Sequence, residues 1–460
     1  MRIGIIVDHP KRDLDGIIML SHELTSRGHT AFIIPNYEQA TDIPLLDLDI
    51  IVVNFARPAN LELVKGYVKQ NIKVVVMDTE AGIMTEQGGN SPNQLSQYVK
   101  DSDYSELLSG YIFWGSKLYS VFKDNNVLPD SKLFLTGLPR FDFTSAQWRK
   151  LLTHNRNNYI LVNCNFQIAN PRFMSSADSE IETLVQAGWD KEYSEQLYKD
   201  FLITMRQVTK ITGRLAKDFP EETFLVRPHP FEDTEYYRKE FETYNNIVVD
   251  AEGSVLNVIN NSKCIIHLNC GTSVEAVMLE KLPISLEVFN TPLMNQLSKL
   301  PSKVSFPVEN YEQLQKTLMN LEKTTSEFDF NEVYNSEIKQ WFHLNDGRSA
   351  KRIVDRLESM EEEMGSISGV VWSLKASREK ARFIQIAQSM LGNILGSKVS
   401  SRIRAYFQSS RKDKLIEVGA VAARMVEICS VANSNKVPCV EHSKHPMHGV
   451  KLSSIKISYK

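Results

Sequence analysis

Residues 262–286 read SKCIIHLNCGTSVEAVMLEKLPISL and alternate between apolar and polar segments. Ser262–Leu268 is an apolar run of strand length, and a polar turn separates it from a helix-like segment that begins at Thr272. A second apolar run restarts at Leu282. A strand, a helix and a strand in this order predict a βαβ unit on a parallel sheet. This stretch therefore indicates an α/β fold class.

The same alternation runs through most of the 460-residue chain. The apolar runs that predict the strands of a first domain are Ile3–Val7, Ala31–Ile34, Ile50–Asn54, Val74–Met77, Tyr111–Trp114 and Leu133–Thr136. Those that predict the strands of a second domain are Tyr159–Asn163, Phe224–Arg227, Ile247–Val249, Cys264–Leu268 and Ile284–Leu286. Because parallel crossovers are right-handed, we predict two doubly wound, Rossmann-like domains that face a cleft.

Five segments follow from this pattern. They are a Rossmann-like domain at 1–144, a linker at 145–158, a second Rossmann-like domain at 159–330, closing helices at 331–364, and a helical or partly disordered tail at 365–460. The tail holds 16 Lys and Arg against 5 Asp and Glu, although the whole chain has a net charge of −3. Such a basic tail suits an anionic lipid surface, and it equally suits a solvated extension or a helical cap packed on the body.

The composition excludes several classes of protein. With 42% hydrophobic and 24% charged residues, the chain is neither fibrous nor wholly disordered. Five cysteines form no CxxC pair, and an odd number makes a poor disulfide framework, so we expect a cytoplasmic protein. The first apolar run is too short for a signal sequence, and no apolar stretch reaches membrane-spanning length. We expect no metal, because ligand spacing is missing around His9, His22, His29, His229 and His267.

The turn of residues 269–273 is the first candidate for chemistry. It joins a strand to a helix, where backbone N–H groups and the helix dipole hold anions, and its two hydroxyls add donors. An ordinary helix N-cap is the alternative interpretation. Because the turn lies in the middle of the second predicted sheet, we predict a nucleotide phosphate site here. Its residues are Asn269, Gly271 for close backbone approach, Thr272, Ser273, and Glu275 as a ribose contact or a cap.

Arg227-Pro228-His229-Pro230 ends another strand of the second domain. Two prolines restrict the backbone on either side of the histidine. A histidine fixed near a phosphate can donate a proton to the departing oxygen, because its ordinary pKa is close to neutral. A surface or packing role is the alternative. With the downstream turn taken into account, we predict Arg227, His229 and Pro230 as phosphate contacts and His229 as a catalytic residue.

Asp78-Thr79-Glu80 ends a strand of the first domain. A carboxylate here would take a proton from an acceptor hydroxyl, and Glu80 is the first choice with Asp78 in reserve. Helix capping, or an ion pair with Arg57 or Arg12, is the alternative. The strand-end residues that we expect on the acceptor or sugar side are Asp8, His9, Arg12, Arg57 and Asn165.

These motifs together resemble a known group. The pairing of Arg-Pro-His-Pro with the turn of residues 270–276 resembles bacterial GT-B glycosyltransferases of surface polysaccharide assembly. The segments Gly4–Asp13, Asp78–Glu80 and Thr136–Asp142 are similar to the proteins called surface carbohydrate biosynthesis proteins. The resemblance covers about residues 1–350, and the combination of motifs is more specific than any one of them.

His229-Pro230 looks like the His-Pro motif by which bacterial sialyltransferases, polysialyltransferases and Kdo transferases bind the CMP phosphate. Thr272 and Ser273 would correspond to their phosphate-binding hydroxyls. Those sialyltransferases carry their base in an acidic pair followed by glycine. Glu80-Ala81-Gly82 is the nearest match and departs from that pattern.

The resemblance implies transfer of a nonulosonic or related ulosonic acid, such as Kdo, sialic, pseudaminic or legionaminic acid, from its CMP-activated form to a saccharide or lipid-linked acceptor. It implies a metal-independent enzyme with no cofactor besides the donor. The alternatives are a nucleoside-diphosphate sugar or CDP-glycerol-type transferase, a sugar-nucleotide epimerase, and a non-catalytic two-domain binding protein. We expect the basic tail to meet an anionic inner membrane peripherally, and we expect no nucleic-acid partner.

Overall fold

Two compact units make up the chain in the computed structural model. The residues described are 1–81, 91–152, 158–172, 181–182, 184–185, 189–297, 299–360, 414–444, 449 and 451–459. The first unit contains Met1–Ala81, Ser96–Leu151 and the described residues from Leu344 onward. The second contains the described residues of Leu152–His343 together with residues 91–95. The chain returns to the first unit at Leu344, which lies within the segment predicted as closing helices at 331–364.

The first unit is built on an eight-stranded sheet. Its strands are β1 (Arg2–Val7), β2 (Thr30–Pro35), β3 (Ile50–Val53), β4 (Lys73–Met77), β5 (Leu108–Phe113), β6 (Leu133–Leu135), β13 (Pro438–Lys444) and β14 (Lys451–Tyr459). Their order is β13-β14-β2-β1-β3-β4-β5-β6, and β1 to β6 pair in parallel. The buried runs of Ile and Val on β1 and β3 reflect helices packed on both faces.

The second unit is built on a six-stranded parallel sheet. Its strands are β7 (Tyr159–Asn163), β8 (Phe224–Arg227), β9 (Ile247–Val249), β10 (Ser262–His267), β11 (Leu282–Ser285) and β12 (Phe306–Pro307). The order is β12-β11-β10-β7-β8-β9, so the strand order reverses between β7 and β10. The prediction of two doubly wound α/β domains is confirmed.

Helices cover these sheets. Those of six residues or more are α1 (Pro10–Ser26), α2 (Leu61–Lys69), α3 (Pro92–Asp101), α4 (Ser116–Asp124), α5 (Lys191–Asp218), α6 (Thr234–Glu240), α7 (Val255–Asn260), α8 (Thr272–Met278), α9 (Tyr311–Met319), α10 (Leu321–Glu327), α11 (Ser349–Ser359) and α12 (Val418–Val431). Shorter α-helical turns are Gln39–Asp42, Tyr104–Leu107, Pro139–Asp142, Pro292–Asn295, Leu300–Lys303, Phe330–Val333 and Lys339–Phe342. Within the described residues, no helix is both long and apolar enough to cross a bilayer.

Thr136–Asp142, one of the motifs quoted above, docks helix α11 in the first unit. Both carboxylate oxygens of Asp142 accept backbone N–H groups at the start of that helix, from Ser349 and Ala350 at 3.0 Å. Arg352 donates to the Thr136 carbonyl at 2.7 Å. Burial raises the pKa of Asp142 to about 6. The motif therefore has a structural role in this unit.

The C-terminal extension, residues 414–459 as described, folds onto the first unit. It contains helix α12, as predicted, and two strands that were not predicted. Strand β14 pairs antiparallel with β2, Ile455 opposite Ile33, and β13 pairs with β14. At the end of β14, Tyr459 Oη lies 2.6 Å from Nδ1 of His22 on helix α1. Arg424 pairs with Asp15 at 3.1 Å. The extension is thus part of the first unit's core.

Removing buried volume from β14 should destabilise the protein. Ile455 is 0% exposed, and Ile455→Ala should lower the free energy of unfolding by about 2–5 kcal/mol, since a cavity remains after the side chain is removed. Leu415→Ala in the same extension is the control, because Leu415 is 70% exposed and should change the value by less than about 0.5 kcal/mol. Urea unfolding measures both. Equal values would contradict the packing of β14 on β2.

Candidate functional site

The second unit brings several predicted residues together where its strand order reverses. The loop after β7 reaches the turn after β10 through two hydrogen bonds. Asn163 Nδ2 donates to Thr272 Oγ1 at 2.6 Å, and Asn165 Nδ2 donates to the Asn269 carbonyl at 3.0 Å. Crevices at such a reversal are where doubly wound sheets bind ligands. Asn165, expected on the sugar side, therefore contacts the turn of residues 269–273, which is the predicted phosphate site.

Ser273 follows Thr272 in helix α8. Its side chain is 0% exposed, and its Oγ has no hydrogen-bond partner within the described residues. The Oδ1 atom of buried Asn163 also has no hydrogen-bond partner within the described residues. A buried hydroxyl or amide without a partner costs about 1–3 kcal/mol, so native proteins leave few of them. These two lie near one strand-order reversal, where doubly wound sheets bind ligands.

The backbone of the turn differs from the expectation for its glycine. Gly271 has a φ of −58°, which any residue adopts, whereas Asn269 has a φ of 47° in the left-handed region. The Cys270 N–H donates to Nδ1 of buried His267 at 3.4 Å, and His267 Nε2 lies 2.8 Å from a serine hydroxyl. Burial lowers the pKa of His267 to about 4, so this ring is a neutral support for the turn.

His229 is held by a buried carboxylate that the sequence did not reveal. Glu232 accepts backbone N–H groups from His229 at 3.1 Å and from Phe166, in the loop after β7, at 2.8 Å. Its other oxygen accepts the hydroxyl of Tyr237. The Phe231 N–H donates to His229 Nδ1 at 3.3 Å, so the neutral ring carries its hydrogen on Nε2. Glu232 therefore joins the loop after β7 to the loop after β8. Pro230 lies between His229 and Glu232 in the chain.

Two other residues predicted on the nucleotide side, Arg227 and Glu275, have buried side chains. The guanidinium of buried Arg227 donates to the carbonyls of Glu252 at 2.6 Å and Gly253 at 2.8 Å, and so supports the loop after β9. Burial lowers the pKa of Arg227. Glu275 is buried inside helix α8.

In the first unit, the predicted charged residues form a chain of alternating ion pairs at the strand ends. Arg12 pairs with Asp8 at 3.0 Å and with Glu80 at 3.6 Å. Glu80 also pairs with Arg57 at 2.5 Å. At the other end, Lys414 of the extension pairs with Asp8 at 3.2 Å. This ion-pair chain, Lys414–Asp8–Arg12–Glu80–Arg57, corresponds to the salt-bridge alternative considered for Glu80.

Asp78 lies beneath the ion-pair chain. One of its carboxylate oxygens accepts the Glu80 N–H at 2.9 Å, and the other lies 3.4 Å from the Tyr111 hydroxyl. Burial raises the pKa of Asp78. Its carboxylate thus positions Glu80. His9 is buried at the end of β1, and burial, followed by the charge of Arg12, lowers its pKa.

Two uncharged residues beside these were missed as candidates. Asn54 follows β3 and Thr79 follows β4, and both are buried. Within the described residues, Asn54 Nδ2 and Thr79 Oγ1 have no hydrogen-bond partner. The apolar runs that precede them were visible in the sequence, but a neutral side chain at a strand end carries no charge signal. No group of three or more metal-ligating side chains occurs in the described part of the chain.

No protein-family model and no curated protein matches the chain. Solved structures do. MnaA of S. aureus with UDP is 12% identical with a TM-score of 0.51, covering 80% of this chain and 99% of that one. The wall teichoic acid polymerase TagF with CDPG is 11% identical with a TM-score of 0.50, covering 79% and 90%. UDP-GlcNAc 2-epimerase of Neisseria meningitidis, at 13% identity, has a TM-score of 0.47 over 78% and 100%.

The chain has the GT-B fold. Its neighbours MnaA and TagF show this at the level of architecture, and the two doubly wound units agree with it. The GT-B fold class predicted from the sequence is confirmed.

Glu232 gives a test of the second unit's strand-end loops. Burial raises its pKa to about 7 from an ordinary 4.5, so the native state favours the protonated carboxyl. The native state binds this proton more tightly than the unfolded state does. The contribution of Glu232 to the free energy of unfolding is therefore complete below about pH 4.5, falls as the pH rises, and is lost above pH 7, by about 3 kcal/mol in all. Glu232→Gln keeps a carbonyl acceptor for Phe166 and His229 and should lack this loss. Urea unfolding at pH 5 and pH 8 measures the difference.

The control for this comparison is Glu240→Gln, because Glu240 is exposed on helix α6. It should follow the wild-type pH dependence. If Glu232→Gln also follows it, the carboxyl does not titrate with a raised pKa.

Proposed function

We propose that the chain is a glycosyltransferase of surface polysaccharide biosynthesis. It transfers a nonulosonic or related ulosonic acid from a CMP-activated donor to a saccharide or lipid-linked acceptor. The observation that carries the proposal is Ser273, whose buried hydroxyl has no partner in the described chain at the strand-order reversal of the second unit. A phosphate oxygen would satisfy that hydroxyl.

The donor phosphate would bind at the turn before helix α8. Ser273 Oγ would donate to a phosphate oxygen, and charge-assisted bonds of this kind are stronger than those between neutral groups. Asn163 Oδ1 would accept a hydroxyl or amino hydrogen of the donor. Thr272 already accepts from Asn163, so it would orient the amide in addition to facing the phosphate.

His229 would act at the leaving group. In the transfer, the bond between the sugar's anomeric carbon and the CMP phosphate oxygen breaks, and the acceptor oxygen forms the new bond. With Nδ1 accepting from Phe231, His229 would present Nε2–H to the phosphate oxygen as negative charge develops on it. Glu232 would hold this geometry through the backbone of the same loop.

Glu80 remains the proposed base that takes the acceptor proton, with Asp78 positioning its backbone. Glu80 is 45% exposed and is paired with Arg57 and Arg12. To receive a proton, the carboxylate must release one of these partners when the acceptor binds. The structure therefore favours Glu80 over the buried Asp78 for contact with a substrate.

Two GT-B neighbours were solved with nucleotide ligands, MnaA with UDP and TagF with CDPG. They support a nucleotide-linked donor and leave the base and the number of phosphates open. A nucleoside-diphosphate sugar or CDP-glycerol-type transferase and a sugar-nucleotide epimerase are the alternatives on this fold. Binding of different nucleotides separates them from the CMP proposal.

Membrane attachment stays part of the proposal. It rests on Lys375, Arg378, Lys380, Arg382, Arg402, Arg404, Arg411 and Lys412, which lie outside the described residues. Lys414, counted with them in the sequence, pairs with Asp8 instead.

Ser273→Ala should weaken nucleotide binding without destabilising the protein. Wild-type protein should show a larger rise in Tm with CMP than with CDP, UDP or GDP, because ligand binding to the native state raises stability. The variant should bind CMP about tenfold or more weakly, since it lacks one donor to a charged group. Ser262→Ala, at the opposite end of β10, is the control. Its hydroxyl donates to the Ile259 carbonyl, so it should lower the Tm and keep the CMP response.

A larger response to UDP or CDP than to CMP would contradict the CMP donor. An unchanged CMP affinity in Ser273→Ala would contradict the phosphate site.

His229→Ala should lower turnover on the order of 100-fold, as expected when one transition-state donor is lost. CMP affinity should fall less than turnover, because the contact strengthens in the chemical step. Glu80→Gln is the comparison in the other unit and should lose transfer while keeping CMP affinity. Steady-state kinetics with a CMP-activated ulosonic acid, together with calorimetry for CMP, measure both. Near-normal turnover in folded His229→Ala would overturn its role.

A further inference from the structure

The first unit has its own pair of buried polar side chains without partners at its strand-order reversal. Strand β1 lies between β2 and β3, so the order reverses there, and Asn54 directly follows β3. Thr79 follows β4, the next strand along the sheet, and its N–H donates to the Asn54 carbonyl at 3.0 Å. The backbones of the two residues are therefore hydrogen-bonded neighbours.

Their side chains are 2% and 5% exposed, and in the described chain Asn54 Nδ2 and Thr79 Oγ1 have no hydrogen-bond partner. Both groups could have been replaced by apolar side chains of similar size, which would remove the cost of burying them unpaired. Two such groups on adjacent strand ends, where doubly wound sheets bind ligands, point to a function rather than to packing.

We propose that Asn54 and Thr79 form the polar floor of a binding site for a neutral, hydroxyl-rich molecule. Asn54 offers two N–H donors, and Thr79 offers a hydroxyl that both donates and accepts. This set matches sugar hydroxyls, which accept and donate in the same way. The inference rests on the proposed function, in which this molecule is the saccharide acceptor.

The surrounding charges favour a neutral ligand. Asp78 and Glu80 flank Thr79 in the chain, so an anion here would meet two carboxyl groups. Arg57 follows Asn54 by three positions and would oppose a cation. Arg57 and Glu80 are paired with each other and partly exposed, so they form a rim of balanced charge near solvent. A hydroxyl of the bound sugar would then lie close to Glu80, the proposed base.

The test uses the full chain and two isosteric variants. Thr79→Val removes a hydroxyl that has no partner, so the Tm should stay the same or rise. Thr144→Val is the control within the same unit. The buried Thr144 hydroxyl lies 2.8 Å from two acceptors, the Phe141 carbonyl and Asn345 Oδ1, and donates its one hydrogen to either of them. Its loss should therefore lower the Tm by about 2–4 °C.

Binding is measured by saturation-transfer NMR with N-acetylglucosamine, galactose and lactose as neutral probes. Wild type, Thr144→Val and Thr79→Ser, which keeps the hydroxyl, should give a signal with at least one probe. Thr79→Val and Asn54→Ala should reduce that signal at least about fivefold, because each loses a hydrogen bond made only to the ligand. CMP should not compete for it.

Three results would overturn the proposal. A fall in Tm for Thr79→Val equal to that of Thr144→Val would show a structural partner, such as a buried water. An equal signal from wild type and Thr79→Val would show that the hydroxyl does not bind the probes. If the wild type gave no saturation-transfer signal with any of the three sugars, neutral sugars would be excluded as ligands of this site. Failure of CMP binding would count against the donor site alone, because that site lies in the other unit.

Discussion

The hydrogen-bonding demand of buried strand ends is the constraint on which both units depend. The strands of a parallel sheet with helices on both faces are apolar along their length, so their polar side chains lie at the strand ends. Asp78 and Glu232 meet this demand by accepting backbone N–H groups. Asn163 Oδ1 and Ser273 Oγ, near the strand-order reversal of the second sheet, have no partner among the described residues. Such reversals are where doubly wound sheets bind ligands.

Carboxylates with quite different roles occur at these ends. Glu232 and Asp142 are buried and accept backbone N–H groups, so they fix loops, and burial raises the pKa of each. Glu80 is partly exposed and paired with arginines, so it can exchange partners when a ligand arrives. The surroundings of each carboxyl group, rather than its residue type, decide whether it holds a loop in place or is a candidate for contact with a substrate.

The sequence predicted the parallel strands of both sheets except the two-residue β12, because long apolar runs bounded by polar turns are a strong pattern. It was insufficient for β13 and β14. Their residues, such as Glu441 and Lys456, alternate with apolar ones in a basic segment, and their pairing depends on β2, more than 400 residues away in the chain. Sequence proximity also cannot show that Lys414 meets Asp8.

Site residues divided along similar lines. Charged and proline-bracketed residues, such as Glu80 and His229, were recognisable by type. Asn54 and Thr79 were not, because the property that matters is a missing partner, which only coordinates reveal. Arg227 shows the reverse case. Its charge suggested a phosphate contact, but the sequence did not show that two of its N–H groups donate to backbone carbonyls.

The route of the chain through the first sheet has a consequence for biosynthesis. Strand β2 is made early, and the strand that covers its outer edge, β14, begins roughly 400 residues later. At ribosomal speeds the interval is roughly 20–80 seconds. All six strands of the second sheet emerge within it, so that unit can close while the apolar edge at Ala31–Ile34 is still open. Unpaired edges invite association between chains. The period of exposure is therefore set by the rate of translation, not by the rate at which the sheet forms.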